Sequence, residues 1–198
     1  MSTHSTSSHK CLRSVLIFAV LLVPTHIIAQ KVQKLAKPEE FTATAIVNNN
    51  LASGAGQLLI RITRWTSPDE RQMLVSTLVE NGPNALLKSL QKTKPVGSIR
   101  TPDSLAYDLH YSRETTIPGG GRRIVLATDR PIGFWEAANQ PRTIDYPFTV
   151  VQMEIGADGK GRGTLSYATK INAHDDTIEL ENFASAPVML TNVREESK

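Results

Sequence analysis

The chain has 198 residues, with 22 Lys and Arg against 19 Asp and Glu, and a single cysteine. Residues 1–29 contain two of the basic residues and no acidic one, so twenty basic and nineteen acidic residues remain after them. A nearly neutral remainder gives no charge-based reason to expect binding to nucleic acid or to an anionic membrane surface. Cys11 lies within residues 1–29. If that segment is removed, no disulfide can form.

The first 29 residues have the pattern of a secretory signal peptide. A polar segment with Lys10 and Arg13 is followed by an apolar run at 14–23, and a small residue stands at Ala29. The run is about half of the ~20 residues that a membrane-spanning helix needs. We therefore expect cleavage after Ala29 and an exported protein, periplasmic or extracellular, with no membrane span after cleavage. An uncleaved N-terminal anchor is the alternative.

The remaining chain is predicted to form a flexible lead-in at 30–40 and a single β-rich domain at 41–198, long enough for one hydrophobic core. Alternating apolar residues predict strands at 41–47 and 57–66. The Asn-, Ser- and Gly-rich stretch between them is typical of a turn. These two strands are expected to pair as the first hairpin.

A helical insertion is predicted at 68–92, after the second strand. Ser67 is followed by a proline and, three residues later, by Glu70, which is the pattern of a capping box with proline in the first turn. Apolar residues then recur at helical spacing until Gly82, a residue typical of helix ends. Pro83 is suited to starting a second helix. The sequence therefore predicts a two-helix hairpin.

Six further strand-like runs follow, separated by short stretches rich in turn residues. Short links between alternating runs favour antiparallel neighbours. The predicted fold class is α+β: a mainly antiparallel sheet of about eight strands with the two-helix hairpin inserted after the second. Both a barrel-like sheet and a sandwich fit this pattern, and we favour the barrel-like form. The six runs are 105–112, 123–128, 147–155, 163–172, 177–183 and 188–193.

Common cofactor and metal motifs are missing from the sequence. After residue 29 there are two histidines, His110 and His174, and no cysteine, which is a poor set of zinc ligands. The acidic residues near His174 match no EF-hand loop. The glycine-rich stretch 156–163 lacks the Gly-Lys-Ser/Thr of a P-loop. We predict no metal and no cofactor.

The connection at 129–146 is the best candidate for chemistry. Its carboxylates Asp129, Glu136 and Asp145 are candidate catalytic residues, because acid–base catalysis needs two such groups in different environments. Glu136 stands beside Trp135, so its carboxylate is the one expected to be desolvated.

The same connection also holds candidate ligand-binding residues: Arg130, Trp135 and Arg142. Two arginines can bind an anionic ligand through paired hydrogen bonds. The alternative is structural: the charged side chains pair with one another, while Phe134 and Trp135 close one end of the barrel.

Two stretches resemble segments of exported bacterial proteins of unknown function. They are LLIRITRW at 58–65 and GRRIVLATDRPIGFWEAANQPRTIDYPFTVVQMEI at 121–155. The resemblance covers most of residues 41–193. It implies a bacterial, exported setting and no particular activity, so it assigns no functional residue.

These observations favour a non-catalytic binding or interaction module, with a small ligand or a protein as its partner. The alternative is a small hydrolase or isomerase that uses the carboxylates of the 129–146 connection. A third possibility is a structural protein that buries the outer face of the helical hairpin against another chain.

Overall fold

The computed structural model describes residues 34–48, 53–132, 146–174, 177–182 and 187–196. Within these ranges the chain forms one helix, α1, and ten strands. Helix α1 spans Pro68–Lys92. The strands are β1 Lys34–Asn48, β2 Ser53–Arg64, β3 Gly97–Arg100, β4 Tyr107–Leu109, β5 Tyr111–Ile117, β6 Gly121–Ala127, β7 Phe148–Ile155, β8 Lys160–His174, β9 Thr177–Asn182 and β10 Val188–Glu195.

The strands form one antiparallel sheet that curves into a nearly closed barrel. Its order is β4-β3-β2-β1-β10-β8-β7-β6-β5, and β9 pairs with β8 beside this path. The two ends of the order are consecutive in the chain, since only His110 separates β4 from β5. Strand β4 pairs with β3 and strand β5 pairs with β6. The prediction of a barrel-like antiparallel sheet is therefore confirmed.

The predicted fold class was wrong in two respects: the strand count and the helical hairpin. Strand β3 was missed because its four residues are too few to show alternation. The predicted strand at 105–112 is divided at His110. Leu109 packs inside the barrel and Tyr111 packs on its outside, although residues two apart share one face of a regular strand.

The helical region is a single kinked helix instead of a two-helix hairpin. Gly82 leaves helical geometry, with φ 77° and ψ −178°, and Pro83 follows it inside the helix. The buried leucines keep one stripe across this kink, at positions 74, 78, 86 and 90. The stop signals at Gly82 therefore bend the helix without reversing it.

The start of the helix agrees with the sequence. The Ser67 hydroxyl accepts a hydrogen bond from the Glu70 amide at 3.2 Å, and the Glu70 carboxylate accepts one from the Ser67 amide at 2.9 Å. The predicted capping box is confirmed.

The first hairpin is also confirmed. Strands β1 and β2 are antiparallel partners, with Phe41 opposite Ile60 and Ala43 opposite Leu58. All four side chains are buried in the barrel. Strand β1 starts at Lys34, so seven residues of the stretch assigned to the lead-in belong to a strand.

Two hydrophobic clusters hold the fold together. The barrel cluster lies inside the sheet and contains Phe41, Ala43, Ala45, Val47, Leu58, Ile60, Ile62, Val96, Ile99, Leu109, Ile124, Leu126, Ile132, Val151, Met153, Ile155, Leu165, Val188, Leu190 and Val193. The helix cluster lies between α1 and the outside of the sheet and contains Leu74, Leu78, Leu86, Leu90, Ala127, Phe148, Val150 and Ile171.

Close packing of neighbouring strands requires glycine in β8. A Cβ atom at Gly161 would collide with the carbonyl oxygen of Glu154, and one at Gly163 with that of Gln152. Both opposing residues belong to β7, so these glycines let β8 pass β7 at a distance that no side chain permits. In the parts of the chain that the structure describes, no helix is both long and apolar enough to cross a membrane.

Candidate functional site

The structure describes two of the six site residues predicted in the 129–146 connection, Asp129 and Arg130. The other four lie outside the described residues, as does Phe134: these four are Trp135, Glu136, Arg142 and Asp145.

Asp129 is buried and paired. Its side chain is 7% exposed, and its Oδ1 and Oδ2 accept hydrogen bonds from Nε and a terminal nitrogen of Arg130, at 3.1 and 3.4 Å. Hydrogen bonding to this carboxylate, together with its charge, raises the pKa of Arg130. Two hydrogen bonds from one guanidinium group to the two carboxylate oxygens suit a structural ion pair better than a general acid. For these two residues the contacts match the structural alternative.

His110 joins this pair, and sequence reasoning did not assign it to a site. Its Nε2 lies 3.7 Å from Asp129 Oδ1, and its Nδ1 lies 3.1 Å from the carbonyl oxygen of Thr93. The same nitrogen lies 3.4 Å from the Thr93 hydroxyl oxygen. Thr93 is the C-cap residue of α1. The histidine therefore connects the end of the helix to the end of β6.

The start of the 129–146 connection folds against the end of the barrel. Ile132 is 2% exposed and belongs to the barrel cluster. Its amide donates to the Thr149 hydroxyl at 2.9 Å, and that hydroxyl donates to the Tyr167 carbonyl at 2.7 Å. The predicted closure of the barrel by aromatic residues falls outside the described residues. Within them, Ile132 occupies this end.

A cavity of about 300 Å³ lies between α1 and the outside of the sheet. Most of its walls are apolar. The helix contributes one wall, strands β5, β6, β7 and β8 form the floor, and β9 forms a side. The lining residues are Leu74, Val75, Leu78, Leu86, Leu90, Tyr111, Arg113, Val125, Ala127, Val150, Gln152, Ile171, Ile178 and Leu180.

Polar side chains are confined to part of this lining: Tyr111, Arg113 and Gln152. Burial raises the pKa of the Tyr111 phenol, and the positive charges of Arg113 and Arg71 oppose that change. Two guanidinium groups therefore act on the same phenol. Among the described lining residues, Arg113 carries a charge and no residue is acidic.

Sequence reasoning did not predict this cavity, because its walls come from elements that are far apart in the chain. A signal was nevertheless present in strands β6 and β7. Val125, Ala127 and Val150 point away from the barrel interior, yet they are apolar. Near-continuous apolar runs are typical of strands covered on both faces. The apolar runs of β6 and β7 therefore indicate that another element packs on the outside of the sheet here.

A second group of charged residues surrounds Arg122, near the start of β6 and therefore at the end of the barrel opposite to Asp129. Its guanidinium group contacts the carboxylates of Glu39 at 2.7 Å, Glu195 at 2.8 Å and Glu114 at 3.1 Å. It also lies 5.4 Å from the centre of the Phe41 ring. Burial acts to lower the pKa of Arg122, but the three carboxylates outweigh it and the pKa is raised. Arg122 thus ties β1, β5 and β10 to β6.

Neither end of the barrel forms a metal site in the described part of the chain, where no three His, Asp or Glu side chains are gathered to hold an ion. Comparison with models of protein families, with curated proteins and with solved structures finds no match.

Proposed function

We propose that this chain is an exported, non-catalytic protein that binds a small apolar ligand between α1 and the outside of the barrel. The observation that carries the proposal is the apolar cavity of about 300 Å³. Binding sites for small molecules are concave and mostly apolar, with volumes of about 300–1,000 Å³ and a few polar groups. The signal-like pattern of residues 1–29 supports the exported setting.

The composition of the walls also favours a binding role. Leu74, Leu78, Leu86 and Leu90 come from one helix, and each is at most 6% exposed. They face apolar residues of the sheet across a space that no side chain of the described residues fills. Residues around such a space lose dispersion contacts. A ligand that fills it restores these contacts, so binding should stabilise the folded protein.

The alternative function is a hydrolase or isomerase that uses Asp129, Glu136 and Asp145. The contacts of Asp129 favour a structural ion pair over this catalytic role, because both of its carboxylate oxygens accept hydrogen bonds from Arg130. The variant Asp129→Asn tests this directly. A catalytic role requires Asp129→Asn to abolish turnover of a substrate, whereas a structural ion pair requires only a loss of stability.

The binding proposal can be tested with a neutral fluorescent apolar probe, N-phenyl-1-naphthylamine. Val75 lines the cavity and Val79 does not, although both lie on α1 one turn apart. Val79 is 58% exposed. The change Val75→Phe should fill part of the cavity, while Val79→Phe is the matched control.

We expect saturable binding of the probe to the unchanged protein, about tenfold weaker binding to Val75→Phe, and unchanged binding to Val79→Phe. Thermal unfolding of each variant without probe shows whether both remain folded. Equal affinity of the two variants for the probe, or no saturable binding to the unchanged protein, would refute the proposal.

A further inference from the structure

The register of three strands divides the cavity floor into successive rows. The first row consists of Tyr111, Ala127 and Val150, which stand opposite one another on β5, β6 and β7. Two residues further along each strand, on the same face, Arg113, Val125 and Gln152 form the second row. Both rows line the cavity. The floor thus changes from mainly apolar to partly polar in one direction.

The third row marks the limit of the cavity. It contains Thr115, Arg123 and Glu154, none of which belongs to the lining. Arg123 and Glu154 bind each other at 2.7 Å, so their charges are locally balanced. The second row differs, because Arg113 stands there among apolar and uncharged lining residues.

The second row, which forms the polar side of the cavity, carries a positive charge at Arg113. Arg113 is exposed, so its guanidinium group is open to solvent while its strand forms the cavity floor. Arg71, near the start of α1, acts on the same Tyr111 phenol as Arg113. An anion placed beside Arg113 would interact favourably with its guanidinium group, whereas a neutral group would gain little from it.

We infer that the ligand is a single-chain amphiphile whose apolar chain occupies the cavity and whose anionic head group, a carboxylate, binds Arg113 at its polar side. This inference rests on the proposed function and adds the chemical class of the ligand. Guanidinium groups bind carboxylates through two parallel hydrogen bonds, which fixes the head group and with it the direction of the chain.

The size of the cavity sets the length of the chain. Roughly ten methylene-sized groups fit into about 300 Å³, since each needs about the 30 Å³ that a water molecule occupies in the liquid. A medium-chain fatty acid therefore matches the site better than a lipid with two chains.

Decanoate and decanol provide the test, because they share a chain and differ in the charge of the head group. Each is titrated against the probe complex at neutral pH with the unchanged protein, with Arg113→Gln and with the control Arg61→Gln. Arg61 is also an exposed arginine in a strand, but it lies on β2 and outside the cavity lining.

We expect decanoate to bind the unchanged protein about tenfold more tightly than decanol. Arg113→Gln should remove this difference by weakening decanoate alone, and Arg61→Gln should preserve it. If decanol and decanoate bind equally, or if Arg113→Gln leaves decanoate binding unchanged, the head-group inference fails while the proposed function stands. If neither the probe nor either compound binds, the proposed function fails and the inference falls with it.

A membrane could supply the same anionic chemistry, so vesicles containing an anionic phospholipid form a further arm. The unchanged protein should stay in the supernatant when these vesicles are sedimented. Sedimentation that is lost in Arg113→Gln would assign the site to a membrane surface and overturn the assignment to a free fatty acid.

Discussion

The barrel cluster and the helix cluster are both apolar, but they are built in different ways. The barrel cluster gathers twenty buried side chains, and all but Val96 and Ile132 come from strands that are hydrogen-bonded to neighbours around the sheet. The helix cluster has eight, and half of them are leucines of one kinked helix that rests on the outside of the sheet. The cavity of about 300 Å³ adjoins the helix cluster. We therefore expect the barrel to provide most of the stability and the helix cluster to border the proposed binding site.

The largest expected effects come from truncating one side chain in each cluster. Ile60 is 2% exposed inside the barrel, so Ile60→Ala should lower the free energy of unfolding by about 2–5 kcal/mol. Leu78→Ala should cost about 2 kcal/mol, at the lower end of this range, because Leu78 already borders a cavity. Urea unfolding measures both. Ile46→Ala, at a half-exposed position on β1, is the control and should change stability by no more than about 0.5 kcal/mol. An equal loss for Ile60→Ala and Leu78→Ala would remove the distinction between the clusters.

The kink of α1 gives the next test, since it is confined to the helix side. Gly82 has a combination of φ and ψ that is essentially restricted to glycine. Gly82→Ala should therefore destabilise the protein by about 1–3 kcal/mol, although an added Cβ would have no atom within 4 Å. Urea unfolding again provides the measurement. Asn84→Ala, two residues along the same helix, should change stability by no more than about 0.5 kcal/mol. A gain in stability for Gly82→Ala would mean that the helix prefers to be straight.

A sequence predicts interactions between neighbouring residues better than it predicts tertiary packing, and α1 illustrates this. The capping box was predictable because Ser67 and Glu70 interact within one turn. The kink at Gly82 was not predictable, since glycine followed by proline is compatible both with a turn between two helices and with a kink inside one helix. Only the packing of leucines on both sides of Gly82 against one sheet decides for the kink. The first hairpin, by contrast, follows from alternation that is written into each strand.

The candidate site shows the same limit. Asp129 and Arg130 were recognised as charged residues in one connection, but their pairing depends on side-chain placement that no spacing rule supplies. The cavity was harder still to predict, because its walls come from α1 and from five strands, β5 to β9. Strand register alone brings Arg113 beside Val125 and Gln152. Such a site becomes visible once the sheet order is known.

A smaller effect is expected at the helix N-cap. Ser67→Ala removes the hydroxyl that accepts from the Glu70 amide, so it should lower the free energy of unfolding by about 1 kcal/mol. Ser67→Asn should restore most of this loss, because asparagine is an equally good N-cap residue. Thermal or urea unfolding distinguishes the two variants. If Ser67→Ala causes no loss, the capping box contributes little to the stability of the helix.

The smallest expected effect concerns the ion pair that links the two clusters at the end of β2. Arg64 contacts the Glu70 carboxylate at 2.8 Å and also donates to the Lys94 carbonyl at 2.8 Å, so it holds both ends of the helical segment to the barrel. Burial acts to raise the pKa of Glu70, but hydrogen bonds from Arg64 and from the Ser67 amide outweigh it, and the pKa is lowered.

A carboxyl group with a lowered pKa in the folded state stabilises the protein above its unfolded pKa, and this contribution is lost as the pH falls through the folded pKa. Because unfolded glutamate titrates near pH 4.3, the loss should begin at about pH 5 and continue below it. Glu70→Gln should reduce this acid-dependent loss by roughly 0.2–1 kcal/mol in urea unfolding followed across the pH range. Glu80→Gln, at an exposed position on the same helix, should leave the slope unchanged. If Glu70→Gln and the unchanged protein share one pH dependence, the helix is coupled to the barrel by apolar contact and by His110 instead of by this ion pair.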